Sequence, residues 1–121
     1  MIVFNDVLSF AEACDQEPSE QMQSLYMDLI REEFQELEEA VAAKDEVEIL
    51  DACMDLLWVT IGLCHMKGYD LYGAWDELTE NNFSKIDSVT GKVTRREDGK
   101  ILKPEGWSPP NFAPYLPMPI E

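Results

Sequence analysis

The sequence predicts an all-α fold: a four- to five-helix bundle with antiparallel core helices and an irregular, proline-rich C-terminal arm. Three observations point there. Apolar residues recur at helical spacing through four segments, cap and breaker residues punctuate those segments, and beyond Lys85 prolines and Gly turns rule out further helix.

The first element places Phe4, Val7, Leu8 and Ala11 on one face of a helix over about residues 3 to 14, which Pro18-Ser19 ends. Ser19 is a candidate N-cap for a long helix reaching about Ala43, with Lys44-Asp45 as a polar turn. A third helix spans about Glu46 to Met66 and stops at Lys67-Gly68, a basic last turn followed by glycine. A fourth begins after Asp70, carries Leu71, Ala74, Trp75 and Leu78 on one face, and ends near Asn82. In the tail, Asp98-Gly99 marks a small hairpin. Trp107, Phe112, Tyr115 and Leu116 belong to an extended arm that needs cover from water.

At 121 residues the chain supports one domain over 1–121, with a helical core over about 3–84 and a hairpin-like, extended tail over 85–121. Twenty-five acidic against nine basic residues give a net charge of −16, which repels nucleic acid and anionic membrane. Six of the nine cations lie between Lys85 and Lys103, so the helices are the acidic part. The N-terminus lacks the basic start of a signal peptide, and no stretch approaches the ~20 apolar residues of a membrane span. A soluble, cytoplasmic protein is expected. Cys14, Cys53 and Cys64 form no CxxC pair and are expected as buried, reduced thiols.

The acids are placed tellingly against the apolar faces. At about 100° per residue, Glu33 falls in the middle of the apolar half of the second helix, with Glu36 in the same arc and Glu32 at its edge. The third helix is apolar almost all round and should be buried, yet Glu48, Asp51 and Asp55 share one stripe along it. Buried unpaired carboxylates are costly, and no Lys or Arg lies in the stripe. A hard divalent cation such as Mg²⁺, bound by oxygens from both helices, resolves the conflict. The plainer alternative is a half-exposed seam with raised pKa values or a pairing to Arg31 or a tail cation.

The segments REEFQELEEAV, EILDACMDLLWVTIGLCHMKGYDL and AWDELTENNFSKI resemble the MazG-like, all-α NTP pyrophosphohydrolase superfamily, close to its phosphoribosyl-ATP pyrophosphohydrolase-like branch. The resemblance covers about Leu25 to Lys103. It implies helical homodimers or homotetramers that split a nucleoside triphosphate into monophosphate and pyrophosphate, with Mg²⁺ or Mn²⁺ as cofactor. The family's EExxE motif falls on Glu32, Glu33 and Glu36, and its later acid on Asp55. Its NMSK-like segment falls on Asn82, Phe83, Ser84 and Lys85, so that Asn82 and Lys85 would contact the nucleotide. Many members carry Glu where this chain has Ala52, leaving Asp51 or Glu48 to supply the missing ligand.

A triphosphate would be expelled from such a site unless metal reversed the local sign of charge. Glu32 or Glu33 is the candidate base for the attacking water, and Lys85 with Arg95, Arg96 or Lys100 would clamp the departing pyrophosphate. Trp58, Trp75 and Trp107 are expected as packing residues, and His65 as a structural cation at a helix end. A di-iron carboxylate protein needs a Glu-x-x-His pair on two helices, which this chain lacks. The competing function is a non-catalytic acidic interaction module: a DNA mimic, which requires outward-facing acids, or an inactive family member, which the Ala52 departure allows.

Overall fold

The computed structural model describes residues 2–117. Four α-helices and one 3-10 turn make up its regular structure: α1 (Ile2–Ala13), α2 (Glu20–Ala43), α3 (Glu46–Lys67), α4 (Leu71–Phe83) and a turn at Ala113–Tyr115. The fold is all-α, as predicted, and the boundaries lie within a few residues of those set by the caps and breakers. The described chain forms two compact units. One comprises α1 to α3 up to Tyr69, together with Pro117; the other is Asp70–Leu116.

Local chemistry sets each helix end. The Ser19 hydroxyl accepts from the Met22 amide at 3.1 Å, satisfying an N–H that α2 leaves open. Asp45 caps α3 in the same way, through the Glu48 amide at 3.2 Å, and Asp70 caps α4 through the Gly73 amide at 3.1 Å. The helices α2 and α3 end alike. Lys44 takes φ 56 and Gly68 φ 75, and the next amide in each case reaches back to the carbonyl of Ala40 or Cys64 at 3.1 Å.

The two-residue turn at Lys44-Asp45 lays α3 back along α2, and α1 adds a third helix against α3. Ala11, Tyr26, Val59 and Met66 form the buried cluster, with Met22, Leu29, Ile30 and Leu63 packed around it. Tyr26 of α2 packs directly on Gly62 of α3, where a Cβ would collide with the Tyr26 ring. The Tyr26 hydroxyl donates to Gln16 Oε1 at 2.6 Å. His65 Nε2 donates to the Phe4 carbonyl at 2.8 Å, tying α3 to α1, so the histidine is structural, as expected.

The third helix departs from expectation. Its inner side is buried at Ala52, Val59, Ile61, Gly62 and Met66, but Val47 is 76%, Leu50 62% and Met54 53% exposed. Two helices can cover only one side of a third, so the outer half of this all-round apolar helix stays uncovered within one chain. Cys14 is exposed and Cys53 and Cys64 half-buried; all three are free thiols.

In the second unit the tail runs antiparallel along α4. Asn81 Nδ2 donates to the Ser108 carbonyl at 2.8 Å, the Asn111 amide to Glu77 Oε1 at 2.9 Å, and the Asp70 amide to the Tyr115 carbonyl at 2.9 Å. Tyr115 lies against Gly73, where a side chain would collide with its ring. Trp107 and Tyr115 are half-buried, but Phe112 and Leu116 remain exposed, so the arm covers part of the apolar surface it carries. The turn around Asp98-Gly99 forms as predicted, with an antiparallel bridge between Arg95 and Ile101.

Candidate active site

The antiparallel pairing of α2 with α3 sets the first turns of α3 opposite the last turns of α2. Glu33 and Glu36, one turn apart, therefore meet Asp51 and Asp55, also one turn apart, across the seam. Glu33 and Asp55 are half-buried, whereas Glu36, Asp51 and Glu48 are exposed. Glu32 is exposed, one residue round the helix from Glu33.

Glu33 carries the strain of the arrangement. Its Oε2 is buried and has no hydrogen-bond partner. Its pKa is pushed from 4.5 up to about 7. Lost hydration is the largest cause, followed by the Glu36 carboxylate, acting through its charge and as hydrogen-bond partner of the protonated form, and then the charges of Asp55 and Asp51. Arg31 does not relieve it, because its guanidinium binds Asp28 at 3.0 Å on the solvent side. The four acids are near enough to feel one another but have not converged. Among the described residues no three Asp, Glu, His or Cys side chains stand together as a metal ion requires.

Just beyond this cluster lies a cavity of about 250 Å³. Its acidic lining comes from Glu36 and Glu39 of α2, Asp45 of the turn, and Glu48 and Asp51 of α3, while Ala40, Ala43 and buried Ala52 form its floor. Sequence reasoning did not include Glu39 and Asp45 in the site. Asp45 belongs to the polar turn and Glu39 to the last turns of α2, and both line the cavity because the connection between the helices is short. The small residue at Ala52 is what leaves this space open.

The predicted nucleotide-contacting residues lie in the second unit. Lys85 Nζ donates to Asn82 Oδ1 at 3.1 Å. Lys85 and Lys103 also lie over the Trp107 ring, at 5.4 and 4.8 Å from its centroid, a contact the sequence did not signal. Arg96 forks onto Asp98 across the hairpin turn and spends its guanidinium there. Arg95 beside it makes no ion pair among the described residues.

No helix is long and apolar enough to cross a membrane among the described residues. No curated protein matches the chain. The family model for phosphoribosyl-ATP pyrophosphohydrolase matches residues 3–82, a span that includes both acidic stripes and most of α4 but stops short of Lys85 and the hairpin. With its all-α architecture and an acidic seam where the EExxE resemblance fell, the chain belongs to the phosphoribosyl-ATP pyrophosphohydrolase family, in the MazG-like branch of nucleotide pyrophosphohydrolases that cleave an acid anhydride.

Proposed function

We propose that this chain is a Mg²⁺-dependent nucleoside triphosphate pyrophosphohydrolase that releases nucleoside monophosphate and pyrophosphate and serves nucleotide-pool housecleaning. The observation that carries the proposal is Glu33, a carboxyl with a buried oxygen that lacks a partner, beside Glu36 on its own helix and facing Asp51 and Asp55 across a seam. Oxygen donors of this kind suit Mg²⁺ or Mn²⁺, and members of the family are typically divalent-metal dependent. Of the acids that would join Glu33 there, Glu36 and Asp51 are exposed and Asp55 is half-buried.

Glu36, Asp55 and Asp51 would hold the cation, with Glu48 extending the set where Ala52 replaces the family's usual acid. When bound, such a cation neutralises triphosphate charge and lowers the pKa of water. Glu33, poised to gain or lose a proton near neutral pH, takes the proton of the attacking water at its carboxylate. Exposed Glu32 is the second candidate for that role. Lys85, steadied by Asn82, binds oxygens of the departing pyrophosphate, and Arg95 is better disposed to assist than Arg96, which Asp98 already occupies.

A panel of nucleotides incubated with Mg²⁺, with pyrophosphate measured against orthophosphate, tests the proposal. Pyrophosphate release should vanish on chelation and fall at least ~100-fold in Glu36→Gln, the scale on which charge stabilisation contributes. Intact nucleotide throughout the panel would favour the non-catalytic reading instead.

A further inference from the structure

A second recess lies on α3, in the groove it forms with α1. Val3, Asp6 and Val7 line one wall and Met54, Leu57, Trp58 and Ile61 the other, around a cavity of about 320 Å³. Its lining is apolar apart from the Asp6 carboxylate. Trp58 was expected as a packing residue, yet it is 39% exposed. The Phe10 ring meets it edge-on, with centroids 5.8 Å apart and planes at 78°, which fixes the indole and leaves ring surface open.

The position of this recess relative to the carboxylates is informative. Trp58 stands three residues beyond Asp55 and seven beyond Asp51 on one continuous helix, an axial rise of roughly 4.5 and 10 Å. A nucleotide with its phosphates at Asp51 and Asp55 would carry its base, beyond the sugar, toward Trp58. An acyl chain would gain nothing from Asp6, and a phosphate or carboxylate would be repelled by it. A nucleobase suits both features, having a flat π-face and N–H donors on its edge.

We propose that this recess receives the nucleobase of the substrate, stacked on Trp58 with an N–H of the base donating to Asp6. The proposal rests on the nucleotide hydrolase reading above and adds where the base is selected. It makes Trp58 and Asp6 binding residues on a wall separate from the acidic seam.

Calorimetry of the full chain with Mg²⁺ can test it, using α,β-methylene analogues of ATP, CTP, GTP and UTP, with inorganic tripolyphosphate as a comparator lacking a base. Trp58→Ala should weaken the analogues roughly ten- to a hundredfold, the range that loss of base stacking produces, and leave tripolyphosphate unchanged. Trp58→Phe should stay within a few-fold of the parent. Asp6→Asn, a surface change that keeps the fold, should reorder preference among the four bases. Equal losses for tripolyphosphate and the analogues, or no loss in any variant, would overturn the assignment. So would a change in molecular mass in Trp58→Ala without a base-dependent loss, which would mean that a second copy of the chain fills the groove. If tripolyphosphate binds but the analogues bind no better, the base site fails alone. If none of them binds, the hydrolase reading fails and the base site with it.

Discussion

At the scale of single residues, Glu33 links stability to pH. Its folded pKa of about 7 stands above the ordinary 4.5, so between these values the native chain binds more protons than the unfolded one. Stability must then fall as pH rises across that window, the reverse of a carboxylate in a salt bridge. The metal-free protein should therefore lose melting temperature between about pH 4.5 and 7, and Glu33→Gln should flatten that slope. Mg²⁺ should restore stability most at the upper end, where the carboxylate is ionised. An unchanged slope in Glu33→Gln would assign the titration to another group. The same substitution should lower turnover by ~100-fold or more if Glu33 is the base, since the group that destabilises the empty site is the one the chemistry uses. Glu33 was legible in the sequence because it sits mid-arc among Leu29, Ile30, Phe34 and Leu37. The depth of its neighbours was not legible. Helical periodicity gives direction but not how far a facing helix covers it, and Glu36 and Asp51, assigned to the same inward arcs, lie exposed.

At the scale of elements, the helix ends were the most readable features, because capping is local chemistry. Ser19, Asp45 and Asp70 cap helix starts through their side chains, and Gly68 takes the left-handed helix end that the lack of a side chain permits. Lys44, like Asp15 after α1, holds the left-handed conformation that Gly68 adopts freely at the end of α3. Lys44→Gly should raise stability by ~0.5–1 kcal/mol, after subtracting the loss of a favourable cation at a helix C-terminus. Chemical denaturation at neutral pH measures this directly, and a decrease would mean that the Lys44 side chain contributes more than its backbone strain removes. Gly62 has the opposite expectation. The Tyr26 ring occupies the space of a side chain there, so Gly62→Ala must push α2 from α3 and should destabilise by ~1–3 kcal/mol despite alanine's better helix propensity. The Tyr26–Gly62 crossing was not legible in the sequence, because register between two helices depends on which small residue meets which large one. The tail was legible in outline through its prolines and Asp98-Gly99, but its course along α4 depends on a hydrogen bond donated by Asn81 and another accepted by Glu77 that no local pattern announces.

At the scale of the whole molecule, the uncovered side of α3 and the distribution of charge act in opposite directions. Val47, Leu50 and Met54 form an exposed stripe at spacings of three and four, which is how one helix presents itself to another. Sequence pattern marked this helix as one to be buried without saying by what, since an apolar face looks the same whether its own chain or a second copy covers it. We expect a second copy, giving a homodimer or a tetramer built from dimers. Yet the unit holding α1 to α3 carries seventeen acidic residues against three basic ones, counted with the C-terminal end, whereas Asp70–Leu116 has eight against six. Two such acidic surfaces repel at low ionic strength, and at ~0.15 M salt, with screening over about 8 Å, most of that repulsion is lost. Association should therefore tighten as NaCl rises from ~10 to 150 mM, opposite to an interface held by ion pairs. Mg²⁺ at matched ionic strength should tighten it further if the acidic seam binds the ion. Leu50→Glu should return the mass to that of one chain by placing a charge in the stripe. Sedimentation at micromolar concentration reads all three effects, and a single-chain mass at every salt concentration would leave the exposed face of α3 without a partner of its own kind.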